Sequence, residues 1–124
     1  METNEELKIG IGNEEVVALK PSVVKIVGVE VVEVGVKKSK KLNCLILHPD
    51  SKEPKSISSV KYENKGKLEV AGLWINKDSK GLIRKNSALA TLLNFTGCNT
   101  AEQLIGKEVQ TILDDKNYLA FKGY

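Results

Sequence analysis

A valine-rich segment, residues 23–36, constrains the fold more than any other part of the chain. Valine is β-branched and favours extended backbone, so the segment is predicted to be a strand. In a straight strand, odd-numbered and even-numbered residues point to opposite faces, so the polar residues share one parity. Here Lys25 and Glu33 have odd numbers, whereas Glu30 has an even number. This change of phase requires a bulge or a sharp bend, and Gly28 lies at that point. We therefore predict one long strand that bends at Gly28.

Turn-forming residues divide the rest of the chain into further strands. Pro, Gly, Asn, Asp and Ser cluster between short apolar runs, which is typical of strands joined by tight turns. The further strands predicted in this way are residues 42–48, 56–63, 67–76, 107–113 and 118–124. The last two strands form a hairpin across residues 114–117.

One helix interrupts this series of strands. Asn86 or Ser87 supplies its N-cap, and Gly97 is placed to end it in the left-handed conformation. The apolar face between these two ends has the spacing i, i+3, i+4, i+7 that is typical of a helix. Its residues are Leu89, Leu92, Leu93 and Thr96. A capping box that starts at Thr100 predicts a second, short helix, which Gly106 ends.

The order of these elements, with residues 56–63 and 67–76 counted together as one strand or hairpin, predicts the fold class. We expect a mainly β fold with a minor α part, namely a five-stranded OB-fold-like Greek-key barrel with both helices between strands three and four. Closing the sheet removes its edges, and a long bent first strand can serve both halves of a barrel. The chief rival is an open antiparallel sheet with a helix across one face. A chain of 124 residues has room for one domain. We place that domain at residues 20–124, after an acidic, partly mobile N-terminal segment at residues 1–19.

The net charge of +3 conceals a partition along the chain. Residues 1–19 carry a net charge of −4, and residues 86–124 carry −1. Residues 20–85 hold 15 basic and seven acidic side chains, which is a net charge of +8. All the basic residues except Arg84 are lysines. Lysine binds phosphate as a point charge, whereas arginine does most of the base reading. The middle of the chain is thus predicted to bind a nucleic-acid backbone with little sequence preference.

Single-stranded nucleic acid is bound by basic grooves in which bases stack on aromatic side chains. Tyr62 has polar neighbours and is predicted to be exposed, and Tyr118 lies on a partly polar strand face. Trp74 is either a core residue that closes the barrel or a stacking platform. The predicted nucleic-acid-binding residues are Lys37, Lys38, Lys40, Lys41, Lys61, Tyr62, Lys67, Trp74, Lys77 and Tyr118.

Scattered positions in the second half of the chain carry a resemblance to a known group of proteins. They are residues 72–76, 87–89, 92–93, 97, 104–109 and 122–124. The pattern resembles small OB-fold proteins of phages and archaeal viruses, which are suspected of binding single-stranded DNA and are often encoded beside replication or recombination genes. The resemblance implies an OB-fold with Trp74 on a strand that feeds the barrel, and it implies no catalytic residue. The chain departs from the group at Asp114 and Asp115, since two carboxylates repel a phosphate backbone in a loop that often helps to bind it.

The sequence contains no motif of a common catalytic or cofactor site. GxSxG, HExxH, Walker-type and GxGxxG patterns are absent, so we expect no enzyme activity and no cofactor. Cys44, Cys98 and His48 offer three metal ligands at most, without the spacing of a zinc site, so we expect no metal. No apolar run reaches 18 residues, which argues against a membrane span. The acidic start of the chain lacks the apolar region of a secretory signal, so the expected location is the cytoplasm.

These patterns favour a non-enzymatic protein that binds single-stranded nucleic acid, DNA before RNA, as an accessory of replication or recombination. The alternative is a structural or adaptor domain that docks a protein partner, with a viral or mobile-element origin. The candidate partners are single-stranded nucleic acid, a second copy of the chain in a homodimer, and a replication or recombination protein. The acidic segment is either a partner-binding arm or a cover for the basic face.

Overall fold

A computed structural model describes residues 19–124, so the acidic segment predicted at residues 1–19 lies, except for Leu19, outside the described residues. A sheet of seven strands dominates this part of the chain. The strands are β1 (Val23–Val34), β2 (Ser39–Leu47), β3 (Lys55–Ile57), β4 (Ser59–Asn64), β5 (Lys67–Gly72), β6 (Glu108–Leu113) and β7 (Leu119–Gly123). One α-helix, α1 (Ala88–Thr96), and one 3-10 helix (Ala101–Leu104) lie between β5 and β6. The mainly β class with one α-helix is thus confirmed.

The predicted bend in the first strand is present. The register between β1 and β2 shifts between Ile26 and Gly28, so Val27 is an extra residue in β1. Ile26 is completely buried before the shift, and Val29 packs against the core after it. The bulge therefore restores the phase of the apolar positions, as the mixed parity of Lys25 and Glu30 predicted.

The order of strands across the sheet is β3-β2-β1-β6-β7-β4-β5. All neighbouring strands are antiparallel except β4 and β7, which run parallel. The five-stranded OB-fold stays a prediction, and the sheet is not a closed barrel, because β3 and β5 are its edge strands. The cause is a break at Ser58, which divides the predicted strand 56–63 into β3 and β4. The Ser58 carbonyl accepts a hydrogen bond from the Leu73 N–H at 2.9 Å instead of continuing a ladder.

The chain that leaves β5 returns to the start of β2. The Leu42 N–H donates to the Leu73 carbonyl at 2.8 Å, and the Ile75 N–H donates to the Lys40 carbonyl at 2.9 Å. Leu73 is completely buried between these two contacts. Residues 73–75 therefore lie beside β2 although they are outside the regular strands, and this approach builds the candidate site.

The helix has the ends that the sequence predicted. The Ser87 side chain accepts a hydrogen bond from the Ala90 N–H, and Gly97 ends the helix at a φ of 74°. A positive φ favours glycine because a Cβ is strained there. The buried face of α1 packs on β4, β5 and β7. Its residues are Ala88, Leu89, Leu92 and Leu93.

The second predicted helix is a single 3-10 turn without the predicted capping box. The Thr100 side chain makes no cap hydrogen bond. The Gln103 Oε1 atom accepts instead from the Asn99 N–H at 2.6 Å. Leu104 is completely buried and anchors this turn to the core beside β1.

Candidate nucleic-acid interface

Trp74 lies on the face of the sheet that points away from the core, which we call the outer face. Its neighbour Leu73 points into the core, so the alternation of an extended chain turns Trp74 outward. The indole rests against the backbone of Gly72, because a Cβ added at Gly72 would lie 2.8 Å from the indole Nε1 atom. Trp74 is half-buried in this position. Of the two alternatives for Trp74, the structure places it at the surface.

Lys41 lies directly beside this indole. The two residues face each other in an antiparallel bridge between β2 and the chain after β5. The Lys41 Nζ atom lies 5.0 Å from the centroid of the Trp74 ring. A Cβ at Gly72 would also come within 2.8 Å of the Lys41 Cε atom, so the glycine leaves room for both side chains. This cation–π contact orients the indole and places a positive charge over its face.

Two further lysines stand side by side on the outer face. Lys61 on β4 is in register with Lys122 on β7, and on its other side it is in register with Val70 on β5. Both ammonium groups belong to half-buried side chains. Like charges in directly opposite positions of a sheet are destabilising unless an anion lies between them. A phosphate above this pair would remove the repulsion.

A second aromatic residue accompanies Lys122. The Lys122 Nζ atom lies 5.0 Å from the centroid of the Tyr124 ring, in the same kind of contact as that of Lys41 and Trp74. Lys122 and Tyr124 are not among the residues that the sequence predicted for the site. The sequence signal that could have paired them is their spacing of two residues, because residues i and i+2 of a strand point to the same face.

The structure brings together three of the ten predicted site residues, namely Lys41, Lys61 and Trp74. Tyr62 does not join them. It follows Lys61 on β4 and therefore points to the other side of the sheet, where it is half-buried against the core. The expected full exposure of Tyr62 is wrong, because the core lies on the side of β4 that local polarity marked as open, and its role as a stacking residue stays a prediction.

Tyr118 is 69% exposed but lies far from the predicted lysine turn. It lines a cavity of about 340 Å³ together with Ile46 and Ile57. Lys38 lies on the turn between β1 and β2, just before β2 begins, whereas Ile46 lies near the end of β2. Seven residues of β2 separate these two ends, which is roughly 23 Å. Tyr118 and Lys38 therefore belong to different surfaces.

The remaining predicted lysines are dispersed at the surface. Lys37 and Lys38 lie on the exposed turn between β1 and β2, and Lys40 stands opposite Glu33 on β1. Lys67 opens β5 next to the tight turn at its start, and Lys77 faces Ile83 in the loop before α1. These lysines do not line the outer face beside Trp74, although they add to the positive field around it.

The acidic loop between β6 and β7 has a structural explanation. The Asp114 Oδ1 atom accepts hydrogen bonds from the Lys116 N–H at 2.8 Å and from the Tyr118 N–H at 2.9 Å. A carboxylate in this position stabilises a turn by satisfying backbone donors. Asp114 therefore holds the loop closed.

His48 serves the fold in a similar way. It is 3% exposed, and its Nδ1 atom accepts a hydrogen bond from the Asp50 N–H at 3.0 Å. The ring proton must then lie on Nε2, which donates to the Lys20 carbonyl at 2.7 Å. Both ring nitrogens are engaged in joining the chain before β1 to the end of β2. His48 therefore has no free nitrogen for proton transfer or for a metal.

Within residues 19–124 there is no group of His, Cys, Asp and Glu side chains that could hold a metal ion. The two cysteines are buried and unpaired in this part of the chain. A groove of about 540 Å³ runs beside α1 and is lined mainly by apolar side chains. They include Leu82, Ile83, Leu93 and Ala101. No helix of the described part is long and apolar enough to cross a membrane.

Cys44 is expected to be unreactive in the folded protein. Burial raises the pKa of its thiol to about 12, so almost no thiolate exists at pH 8, and the thiolate is the reacting form. Ellman's reagent followed by peptide mass spectrometry should modify Cys44 only after unfolding in guanidinium. The unfolded chain at the same pH is the control. Fast modification of Cys44 without denaturant would contradict the burial described above.

Comparison of the chain with protein-family models, with curated proteins and with solved structures gave no match. The similarity of residues 72–124 to viral OB-fold proteins therefore stays a prediction.

Proposed function

We propose that the chain is a non-enzymatic OB-fold-type protein that binds single-stranded nucleic acid, DNA before RNA, with little sequence preference. One observation carries the proposal: Trp74 lies on the outer face beside Lys41, on the same side of the sheet as the paired Lys61 and Lys122. An aromatic platform beside phosphate-binding cations is the basic unit of single-strand binding. Duplex DNA fits this arrangement poorly, because its bases are stacked on one another and cannot reach the indole.

The strand pairing supports the OB-fold part of the proposal. β1 pairs with both β2 and β6, α1 precedes β6, and β7 runs parallel to β4. An OB-fold has this pattern when β3 and β4, which are separated only by Ser58, are taken together as its third strand. The second and third strands of OB-folds form the surface that binds oligonucleotides. In this chain the corresponding surface contains Lys41 and Trp74.

A fluorescence titration with oligo-dT tests the proposal, since Trp74 is the only tryptophan. We expect quenching on binding and a loss of affinity as salt increases. Three lysine–phosphate contacts predict a slope of log Kobs against log salt of about −2, at roughly −0.7 per contact for single strands. The Lys61→Ala variant should reduce the magnitude of this slope by about 0.7. Lys52→Ala is the matched control, because Lys52 is exposed in the connection between β2 and β3. Absence of quenching and of salt dependence would refute the proposal.

A structural or adaptor domain is the second candidate function. The observation in its favour is the apolar groove beside α1, at whose edge Leu82 is 63% exposed. Exposed apolar residues next to a groove are typical of protein-binding surfaces. The two candidates differ in where a binding partner would perturb NMR amide signals: around Trp74 for nucleic acid, and around Leu82 for a protein.

A further inference from the structure

β1 has one edge that is only partly covered. Along one side it pairs with β2 up to Val34. Along the other side it pairs with β6 from Val23 to Lys25. That pairing ends at Ile26, whose N–H donates to the Lys107 carbonyl and whose carbonyl accepts from the Gly106 N–H. Beyond Ile26 no strand of residues 19–124 pairs with this edge.

The uncovered edge, residues 28–34, is suited to pairing. It reads Gly-Val-Glu-Val-Val-Glu-Val, and β-branched residues stabilise paired strands. Protected edges usually carry lysine or proline, and this stretch contains neither. Val31 is 55% exposed and Val34 is 42% exposed, although Val29 near its start packs against the core. An unpaired edge of seven residues with four valines is a template for another strand, although it also carries Glu30 and Glu33.

We infer that this edge pairs with the same edge of a second copy of the chain. In a symmetric antiparallel pair the two-fold axis is perpendicular to the sheet, so each residue faces one of the same parity. When the axis passes between the two copies of Val31, which we call a centre at Val31, the whole of residues 28–34 is paired. Val31 then lies opposite Val31 of the other copy. The same register places Glu30 opposite Val32 and Glu33 opposite Val29.

The neighbouring symmetric registers are less favourable. A centre at Glu30 places two identical carboxylates opposite each other, which is destabilising. A centre at Val32 pairs only five residues of the edge before it meets the turn after Val34, and a centre at Val29 pairs only three before it meets β6. Charge and length therefore select the register centred on Val31.

The dimer has a consequence for the outer face. Because the two-fold axis is perpendicular to the joined sheet, the outer faces of both copies lie on the same side. The second copy therefore adds a second Lys41–Trp74 pair to one continuous surface. The pairing itself depends on the β1 edge and does not require a nucleic acid.

A cysteine at Val31 tests the register directly. In the proposed dimer the two Val31 Cα atoms lie about 4.5–5.5 Å apart, which is within disulfide range. Mild oxidation of the Val31→Cys variant should shift the non-reducing mass from 13.6 kDa to twice that value. The native Cys44 and Cys98 are buried and should not take part.

Val36→Cys is the matched control. Val36 is fully exposed, but in this register the two copies of residue 36 lie roughly 34 Å apart and cannot form a disulfide. If Val31→Cys crosslinks no faster than Val36→Cys, the proposed edge pairing is wrong.

Sedimentation without nucleic acid provides a second, non-covalent measurement. The wild-type mass should rise with concentration from that of one chain to that of two, whereas Val31→Lys should stay monomeric with an unchanged circular dichroism spectrum. A wild type that stays monomeric at all concentrations would overturn the inference, and so would a dimer that Val31→Lys leaves intact. Because no oligonucleotide is present, a negative result here is independent of the titration that tests the proposed function.

Discussion

Replacement of Trp74 by alanine is expected to weaken the binding of oligo-dT by about 5- to 150-fold. Stacking of a base on an aromatic side chain contributes roughly 1–3 kcal/mol, and about 1.4 kcal/mol corresponds to a factor of ten. The loss should be large because Trp74 is the aromatic residue that Gly72 and Lys41 hold in place on the outer face. Fluorescence anisotropy of a labelled oligonucleotide measures the affinity without using the missing indole.

Tyr118→Ala is the matched control for this variant. Tyr118 is a more exposed aromatic residue than Trp74, but it lies beside Ile46 at the far end of β2. Its removal should leave the affinity unchanged. Trp74→Phe should retain part of the affinity, since a smaller ring still stacks. Equal losses in Trp74→Ala and Tyr118→Ala would show that the interface is not the one described.

Truncation of Leu73 is expected to have a large effect on stability. The Leu73→Ala variant should lose about 2–5 kcal/mol of unfolding free energy, as buried leucines do when a cavity is left. Leu73 is completely buried, and its backbone joins the chain after β5 to Leu42 on β2 and to Ser58 before β4. Urea denaturation followed by far-UV circular dichroism gives the free energy.

Leu68→Ala provides the comparison within the same segment. Leu68 is 49% exposed on β5, so its truncation should change the free energy of unfolding by no more than about 0.5 kcal/mol. If the two variants lose the same stability, the core does not extend to the approach between residues 73–75 and β2.

The first strand and the helix were predictable because their signals are local. The mixed parity of Lys25, Glu30 and Glu33 required an extra residue, and the structure has it next to Gly28. The helix begins after Ser87 and ends at Gly97, where a side-chain cap and a positive φ fix its limits. In both cases a few residues adjacent in sequence determine the backbone.

The open edges of the sheet were not predictable in this way. The break at Ser58 has no turn signal, since its neighbours are serine and isoleucine in an extended chain. It forms because the Ser58 carbonyl bonds to Leu73, a contact across 15 positions of the sequence. Propensity in a window of several residues contains no information on such a contact.

The sequence predicted the kind of candidate site, a basic surface with an aromatic residue, but only some of its residues. Local charge identified Lys41 and Lys61, and the partner strand that places Lys122 next to Lys61 comes from the end of the chain. The exposure of Tyr62 was overestimated because its polar sequence neighbours share the strand but not the face. The side of a strand that is covered depends on what packs there, and α1 packs on β4.

The position of β7 in the sheet determines when the fold can be completed during synthesis. β7 is the last strand along the chain, yet it lies between β6 and β4 and supplies the fully buried Phe121. Until it has left the ribosome, the β4–β5 hairpin is separated from β6, and the core cluster lacks its largest side chain. The hairpin and β6 then each present an unpaired edge, which is prone to association with other chains. Completion of this fold is therefore expected only after residues 119–123 have emerged, with chaperone binding concentrated on the nascent chain before that point.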